Sequence, residues 1–389
     1  MMKRLAIVTS HPIQYNAPVF KLLTEKGKAD IKVFYTWGQG VLENKYDPGF
    51  GKVIEWDIPL LEGYDYSFVK NVATYPGTHH FKGIINPSLN SDIEVWKADA
   101  ILVFGWSCQS HLRCLRYFHK KIPVLFRGDS TLLNEKKNAR TFLRRLFLKW
   151  VYTHVDYAFY PGTNSKAYFL AHGLKEKQLL YAPHAVDNNR FFDQTGEYNR
   201  KAKEKRQRLG FTDEDLVMLF AGKFDKNKNP FFLLDILKKI NDKRLKALFV
   251  GNGKLEQSLR AAAKGDERAI FLDFQNQQLM PVIYRMADIF ILPSARPGET
   301  WGLSLNEAMA CGKAVVCTDK AGAAVDLISG KMNGIVIHKN QTQELIGLIE
   351  FALTDKDVLI KMGCQSEEVI KDFNFEKVVQ TILDLVERI

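Results

Sequence analysis

Two carboxylates, Glu299 and Glu307, lie eight positions apart in residues 297–316, PGETWGLSLNEAMACGKAVV, with a glycine-containing turn between them. A carboxylate accepts two hydrogen bonds and so can hold a vicinal diol. Two of them on either side of a turn suit a ligand with hydroxyls at both ends and phosphates between, which is the chemistry of a nucleotide sugar. One would hold ribose hydroxyls and the other the sugar. A plainer alternative stands beside this one: Glu299 favours the positive end of a helix, and Glu307 is an exposed helix residue.

A second cluster lies upstream in LVMLFAGKFDKNKNPFFLLDIL, where an apolar strand runs into Gly222, then Lys223 and Lys228 in a polar loop, then a helix opened near Pro230. Two ammonium groups at the end of a strand can neutralise a diphosphate leaving group. Each charge-assisted contact contributes about 1.5–3 kcal/mol, more of it as negative charge develops in the transition state. Loop lysines are otherwise solvated and contribute little. In LFVGNGKLEQSL a strand ends at Gly251 and Gly253, a spacing found at phosphate loops and also wherever a strand passes tightly into a helix.

The elements that must position these residues follow from periodicity. IFILPSA reads as a buried strand, and Leu303, Leu305, Ala308, Met309 and Ala310 follow the spacing of a helix packed on a sheet. A helix starting between Gly302 and Ser304 aims free N–H groups and its positive dipole end at the loop holding Glu299. In the N-terminal half, RLAIVTS, IKVFYTW, ADAILVFGW, PVLFRGD and VDYAFYPG are short apolar runs ending in small or polar residues. That alternation predicts parallel strands joined by crossover helices. Ligands of such sheets gather at the C-terminal strand ends, so His11, Gly105, Trp106, Ser107, Arg127, Gly128, Asp129, Gly162, Thr163 and Asn164 are expected along one edge, across a cleft from the acidic pair. Arg127 could reach phosphate or sugar hydroxyls and Asp129 could accept from the sugar; a local ion pair is the alternative for both, and a capping role for His11. Residues 38–97, with His79 and His80, lack clean periodicity and form a long excursion of the kind that carries acceptor recognition.

Taken in order, Gly222 and Lys223 with Lys228, then VGNGKLEQSL, then the long run FLDFQNQQLMPVIYRMADIFILPSARPGETWGLSLNEAMACGKAVVCTDKAGAAVDLI, resemble the C-terminal half of the retaining glycosyltransferases of family four over about residues 215–340. The resemblance implies the GT-B fold, an α/β architecture of two Rossmann-like doubly wound domains whose parallel sheets face a central cleft. It divides the chain into an acceptor domain, 1–185, a donor domain, 186–370, and a C-terminal helix, 371–389, that crosses back and touches both lobes. It implies that Lys223 and Lys228 hold the diphosphate, that Glu299 lies near the donor sugar and Glu307 on the ribose. Backbone groups of Thr300, Trp301, Gly302, Leu303 and Ser304 would contact phosphate and sugar, while Phe274, Gln275 and Asn276 flank the base. Glu299, Lys228, Lys223 and Asp129 are the expected catalytic set. Lys223 replaces the family's usual Arg, which keeps the charge without the bidentate geometry. SHPIQYNAPVF replaces a double-glycine loop after the first strand, LFRGDS stands where relatives carry a His, and His184 marks the family's hinge sequence near 181–192, where Asn is common.

The activity implied is retaining transfer of a hexosyl or related group from a nucleoside diphosphate sugar, UDP- or GDP-linked, to a hydroxyl of a glycan or glycolipid, as in surface-polysaccharide or lipopolysaccharide assembly. No further cofactor and no metal are required, since lysines and a helix N-terminus supply the positive charge, and closure of the lobes would exclude water. A GT-B sugar-nucleotide epimerase and a non-catalytic two-lobed sugar-binding protein are the competing readings. The first needs an acid/base pair at the sugar that the sequence does not identify, and the second would normally be exported.

At 389 residues the chain can fill two domains of about 180 residues, and its 46% hydrophobic and 25% charged content is that of a soluble globular protein. MMKRLAIVTSHPIQY has too short an apolar run for an export signal, so a cytoplasmic location is expected, with association at the inner face of the cell membrane as a further option. Five cysteines at non-metal spacings, Cys108, Cys114, Cys311, Cys317 and Cys364, read as reduced core thiols. The charge of +11 concentrates in part in 136–150, where Lys136, Lys137, Arg140, Arg144, Arg145 and Lys149 interleave with Phe142, Leu143, Leu146, Phe147 and Trp150. Such a helix suits peripheral contact with an anionic membrane. A crossover helix whose apolar face packs on the sheet is the slightly favoured alternative. No recognition motif accompanies the charge, so nucleic acid is not expected as a partner, and the basic run after residue 196 reads as a solvated helix face.

Overall fold

The computed structural model describes residues 2–38, 45–47, 49–133, 135–136, 138–296, 298–338 and 341–389; Lys137, Pro297 and residues 39–44 of the excursion lie outside them. The strands, in chain order, are Lys3–Thr9 (β1), Ala29–Tyr35 (β2), Lys45–Asp47 (β3), Lys52–Ile54 (β4), Asp65–Phe68 (β5), Ala100–Phe104 (β6), Val124–Arg127 (β7), Tyr157–Tyr160 (β8), Leu179–Tyr181 (β9), Leu216–Ala221 (β10), Leu245–Val250 (β11), Ala269–Leu272 (β12), Ile289–Leu292 (β13), Ala314–Thr318 (β14) and Gly334–Ile337 (β15). They form a seven-stranded sheet, order β5-β2-β1-β6-β7-β8-β9, a six-stranded sheet, order β12-β11-β10-β13-β14-β15, and a small β3-β4 pair.

Every pairing in the two large sheets is parallel. The sequence dictates this: runs such as LVMLFA, IFIL and AVVCT are apolar at successive positions and are buried on both faces, which only a sheet covered by helices on each side allows. Both sheets start in the middle, run outward one way, then return and continue the other way. In each, therefore, there is one point where the strand order reverses, between β1 and β6 and between β10 and β13. In sheets of this kind the loops leaving such neighbouring strands run to opposite sides, which is where ligands generally bind.

Contacts divide the chain into two compact units, one of residues 1–45, 59–184 and 375–389, the other of residues 46–58 and 185–374. The closing helix, Phe375–Arg388, thus belongs with the first unit, where Val378, Val379, Ile382, Leu383, Leu385 and Val386 are buried and Lys26 and Lys28 pair with Glu376 and Glu387 at 2.7 and 3.1 Å. Residues 46–58, from the excursion, belong with the second. The rest of the excursion adds β5 at the sheet edge and the helix Leu89–Val95. Of the cysteines, Cys108, Cys114, Cys311 and Cys317 are buried, and burial raises each thiol pKa so that it stays protonated; Cys364 is exposed, which corrects its reading as a core residue.

The helix Ala139–Tyr152 departs most from expectation. Only Leu148, Val151 and Tyr152 of it are buried, while Phe142, Leu143, Leu146, Phe147 and Trp150 are exposed. The apolar stripe does not pack on the sheet, because the helix turns a different face to the core.

Candidate active site

The loops at the reversal point of the second sheet carry the residues singled out by sequence. After β10, Asp225 accepts through Oδ1 from the backbone N–H groups of Asn227 and Lys228 at 2.8 and 2.9 Å, a side-chain turn that fixes the loop. Ala295 N–H donates to the Asn227 carbonyl at 2.8 Å, tying this loop to the one after β13. The result is that Lys228 Nζ donates to Glu299 Oε2 in a close ion pair, with side chains only 28% and 16% exposed. Ser294 Oγ lies 3.4 Å from the same oxygen. Lys228 is thus no solvated surface lysine: a carboxylate from the loop after β13 holds its ammonium.

Gly302 begins the helix Leu303–Ala310 with φ +107°, a left-handed conformation, and a Cβ there would lie 2.7 Å from Leu292 Cδ2. Its neighbour Trp301 is buried and donates its indole N–H to Asn306 Oδ1 at 2.8 Å. Gly322 N–H donates to the Glu299 carbonyl at 2.9 Å and Ala323 N–H to the Trp301 carbonyl at 3.1 Å, so the loop after β14 clasps this segment.

Glu307, on that helix, is 4% exposed and accepts from Tyr284 Oη at 2.7 Å. That removes the plainer reading of it as an exposed helix residue. Burying a carboxylate is costly, and the phenol donor offsets part of that cost.

The Gly251 and Gly253 turn has a local packing reason. A Cβ on Gly251 would sit 2.0 Å from the Gly222 carbonyl oxygen, so glycine is what lets the β11 loop approach the β10 loop. Between the two glycines, buried Asn252 donates to Asp273 and Glu256 at 3.0 and 2.9 Å and accepts from Phe274 N–H at 2.8 Å, setting the course of residues 273–276.

The segment 46–58 brings an unanticipated residue to this place. The Phe50 ring lies 4.8 Å from the Phe274 ring, edge to face, and 4.9 Å from Lys223 Nζ, so one aromatic side chain touches both a residue expected at the base and one expected at the diphosphate. Asn276 Nδ2 donates to the Glu55 carbonyl at 2.5 Å, Gln278 N–H to Asp57, and Gln275 Nε2 to the Asp273 carbonyl at 2.8 Å. Nothing in the 38–97 sequence marks Phe50, and nothing in MPVIYRMAD marks Tyr284, because both signals are tertiary. Gly322 was readable only as a small residue in a loop.

In the first unit, Arg127 ends β7, and His11, Trp106 and Asp129 follow the C-terminal ends of β1, β6 and β7, which the parallel register puts on one edge. His11 and Trp106 flank its reversal point. His11 Nδ1 is 2.9 Å from Ser10 Oγ, with its ring edge-on to Trp37 at 5.2 Å. Arg127 spends donors on the Ala182 and Pro183 carbonyls at 3.0 and 3.1 Å, beyond the end of β9, and the charge of nearby Asp129 acts on its guanidinium. Burial brings its guanidinium down to about 10. Asp129 lies 3.7 Å from His184 Nε2; burial pushes that imidazole below its ordinary range, while the contact with Asp129 opposes the shift. Among the described residues no group of three or more His, Cys, Asp or Glu could hold a metal ion.

Residues 201–369 match the model of the family described as glycosyl transferases group 1. The D-inositol 3-phosphate glycosyltransferase of Corynebacterium aurimucosum is 27% identical over 188 residues, 46% of this chain and 44% of that protein. The lipopolysaccharide 1,2-N-acetylglucosaminetransferase of Salmonella typhimurium is 27% identical over 195 residues, 47% of this chain and 50% of that one. The chain therefore spans about half the length of these curated relatives. Among solved structures, Anabaena HepE in complex with UDP aligns over 100% of both chains with a TM-score of 0.75 and 17% identity, a likeness of fold. The two parallel α/β sheets fit a two-domain GT-B fold, and residues 201–369, which carry the loops after β10 and β13, are similar to the glycosyl transferases group 1.

Proposed function

We propose that this protein transfers a sugar from a nucleoside diphosphate sugar to a hydroxyl of a glycan or lipid-linked glycan, with retention of anomeric configuration, in surface-polysaccharide or lipopolysaccharide assembly. The observation that carries the reading is the Lys228–Glu299 pair at the reversal point of the six-stranded sheet, beside the helix that opens at Gly302. The family match over residues 201–369 supports the class of reaction, the UDP held by HepE supports the donor class, and the Salmonella relative supports the kind of acceptor.

In this reading the bond between the sugar's anomeric carbon and the diphosphate oxygen breaks while a bond to the acceptor oxygen forms on the same face. The acceptor proton passes to the departing phosphate oxygen. Lys223, Lys228 and the backbone N–H groups of residues 302–304 take the growing negative charge, which is where stabilisation lowers the barrier. Glu307 holds the ribose, with Tyr284 fixing its carboxylate. Glu299 steers the sugar and positions Lys228. Phe274, Gln275 and Asn276 flank the base, and Asp129 is the acceptor-side polar group. The charge balance is met by protein groups, so turnover should persist in EDTA.

The test is a panel of UDP-, GDP-, ADP- and CMP-sugars, read by thermal shift and by release of nucleoside diphosphate, on wild type and Glu307→Ala, with EDTA throughout. Stabilisation by one nucleotide class, lost in the variant, with slow release of the diphosphate, is the expected result. If no nucleotide stabilises the wild type, the donor site is wrongly assigned.

A further inference from the structure

We propose that the outer face of the helix Ala139–Tyr152 is a docking surface for an anionic lipid bilayer. The helix has two apolar faces. Leu148, Val151 and Tyr152 anchor it in the first unit's core. At about 100° per residue, Phe142, Leu143, Leu146, Phe147 and Trp150 fall on a separate arc about 140° wide, nearly opposite that anchor. All five are exposed, Phe142 by 62% and Leu143 by 65%. Single exposed apolar side chains are ordinary, but five in one stripe on one helix are a surface built for contact.

Charge tells what that contact is. The same wheel sets Arg140 and Arg144 along one border of the stripe and Arg145 and Lys149 along the other, and the helix contains no acidic residue. The preceding helix, Gln109–Phe118, adds exposed Arg113 and Arg116, and the Arg116 guanidinium lies 5.3 Å from the Trp150 ring centre. Arg144 and Arg145 are drawn to Glu135 at 3.2 and 2.6 Å, which fixes the helix start while both stay partly exposed. An apolar stripe bordered on both sides by cations matches the boundary between acyl chains and anionic headgroups, where basic side chains extend to the phosphates while the rings sink between the tails. A protein partner would have to be both greasy and acidic along one narrow strip. No helix among the described residues is long and apolar enough to cross a membrane, so the contact is peripheral.

The placement has a use. Phe147 packs edge-on to Trp106 at 5.5 Å, and Trp106 stands at the reversal point of the first sheet. A bilayer against the stripe would bring a lipid-linked acceptor beside that edge. This last step rests on the transferase reading, whereas the surface itself does not.

Flotation of the full chain with vesicles tests the surface without any turnover. Binding to equimolar phosphatidylglycerol and phosphatidylcholine, with little to phosphatidylcholine alone, is expected, falling as salt rises. Arg140→Gln with Lys149→Gln should weaken partitioning about 25-fold, from about fivefold per basic residue near the surface. Phe142→Ser with Leu146→Ser should abolish it. These side chains are exposed, and unchanged thermal unfolding of each variant would confirm that the fold is intact. No flotation of the wild type, equal binding to both vesicles, or a concentration-dependent dimer that Phe142→Ser with Leu146→Ser dissolves in place of vesicle binding would each overturn the proposal. Donor-induced thermal shifts should be the same in all these variants, so failure here and failure of the donor site are read separately.

Discussion

Replacing Lys228 by Met and Glu299 by Gln should move nucleotide binding in opposite directions, although the two residues form one ion pair. Each side chain is less than a third exposed, so the Lys228 ammonium makes charge-assisted contacts little diluted by water. If it holds a diphosphate, Lys228→Met loses about 1.5–3 kcal/mol, or about 12- to 150-fold in affinity for the nucleoside diphosphate. Glu299 competes for the same ammonium and adds a negative charge close to the phosphates. Glu299→Gln frees the lysine and removes that repulsion, so binding of the diphosphate alone should tighten by about three- to tenfold, a smaller effect because the pair still reaches solvent. Turnover of the full donor should nevertheless fall, since the group that steers the sugar is gone. The double variant should bind more tightly than Lys228→Met, because the repulsion is gone, but without the part of the Glu299→Gln gain that comes from freeing the lysine, a non-additivity that identifies the shared ligand. Calorimetric titration with the nucleoside diphosphate that stabilises the wild type reads the affinities, and diphosphate release reads turnover. Were Glu299→Gln to weaken binding as much as Lys228→Met, the pair would be a structural brace and the reasoning would fail.

Three further outcomes follow from the geometry. Tyr284→Phe removes a donor from the buried Glu307 carboxylate and should cost about 1.5–3 kcal/mol, seen as a melting point lower by about 3–12 °C; an unchanged melting point would show that the phenol is not needed to hold that charge. Gly322→Ala puts a Cβ 1.8 Å from the Thr300 carbonyl oxygen and must displace residues 299–301, so turnover should drop at least about tenfold for a stability loss of about 1–3 kcal/mol, whereas Gly347→Ala, in a helix with open space around it, should stabilise by about 0.5–1 kcal/mol; equal activity of the two would refute the role given to the clasp. Stability should fall as pH drops below about 6.5, because burial lowers the pKa of His111, His172 and His184 in the fold, so the unfolded chain takes up protons first; urea midpoints measured down to acid pH should show this slope, and it should flatten in His111→Gln, whose imidazole bridges Thr36 and the Phe104 and Gly105 carbonyls.

Sequence by itself determined the two parallel sheets, because strands buried on both faces need uninterrupted apolar residues and crossovers need helices between them, and both patterns are local. It also marked the candidate residues of the β10 and β13 loops, since a lysine after Gly222, a carboxylate before Gly302 and a helix start are adjacent in the chain to the strands that carry them. Which charge would meet which was another matter: Lys228 and Glu299 are seventy-one residues apart, and only the reversal of strand order between β10 and β13 makes their loops neighbours. Tertiary structure likewise decided that Glu307 is buried against Tyr284, that Phe50 comes from the first half of the chain to lie on Phe274, and that Arg127 serves the backbone at Ala182. The helix Ala139–Tyr152 shows the reason most plainly. Its composition fixes an apolar stripe and a set of cations, but a helix with two apolar faces can bury either one. Rotation about its own axis, set by how Leu148, Val151 and Tyr152 fit the core, chose which face was left to solvent.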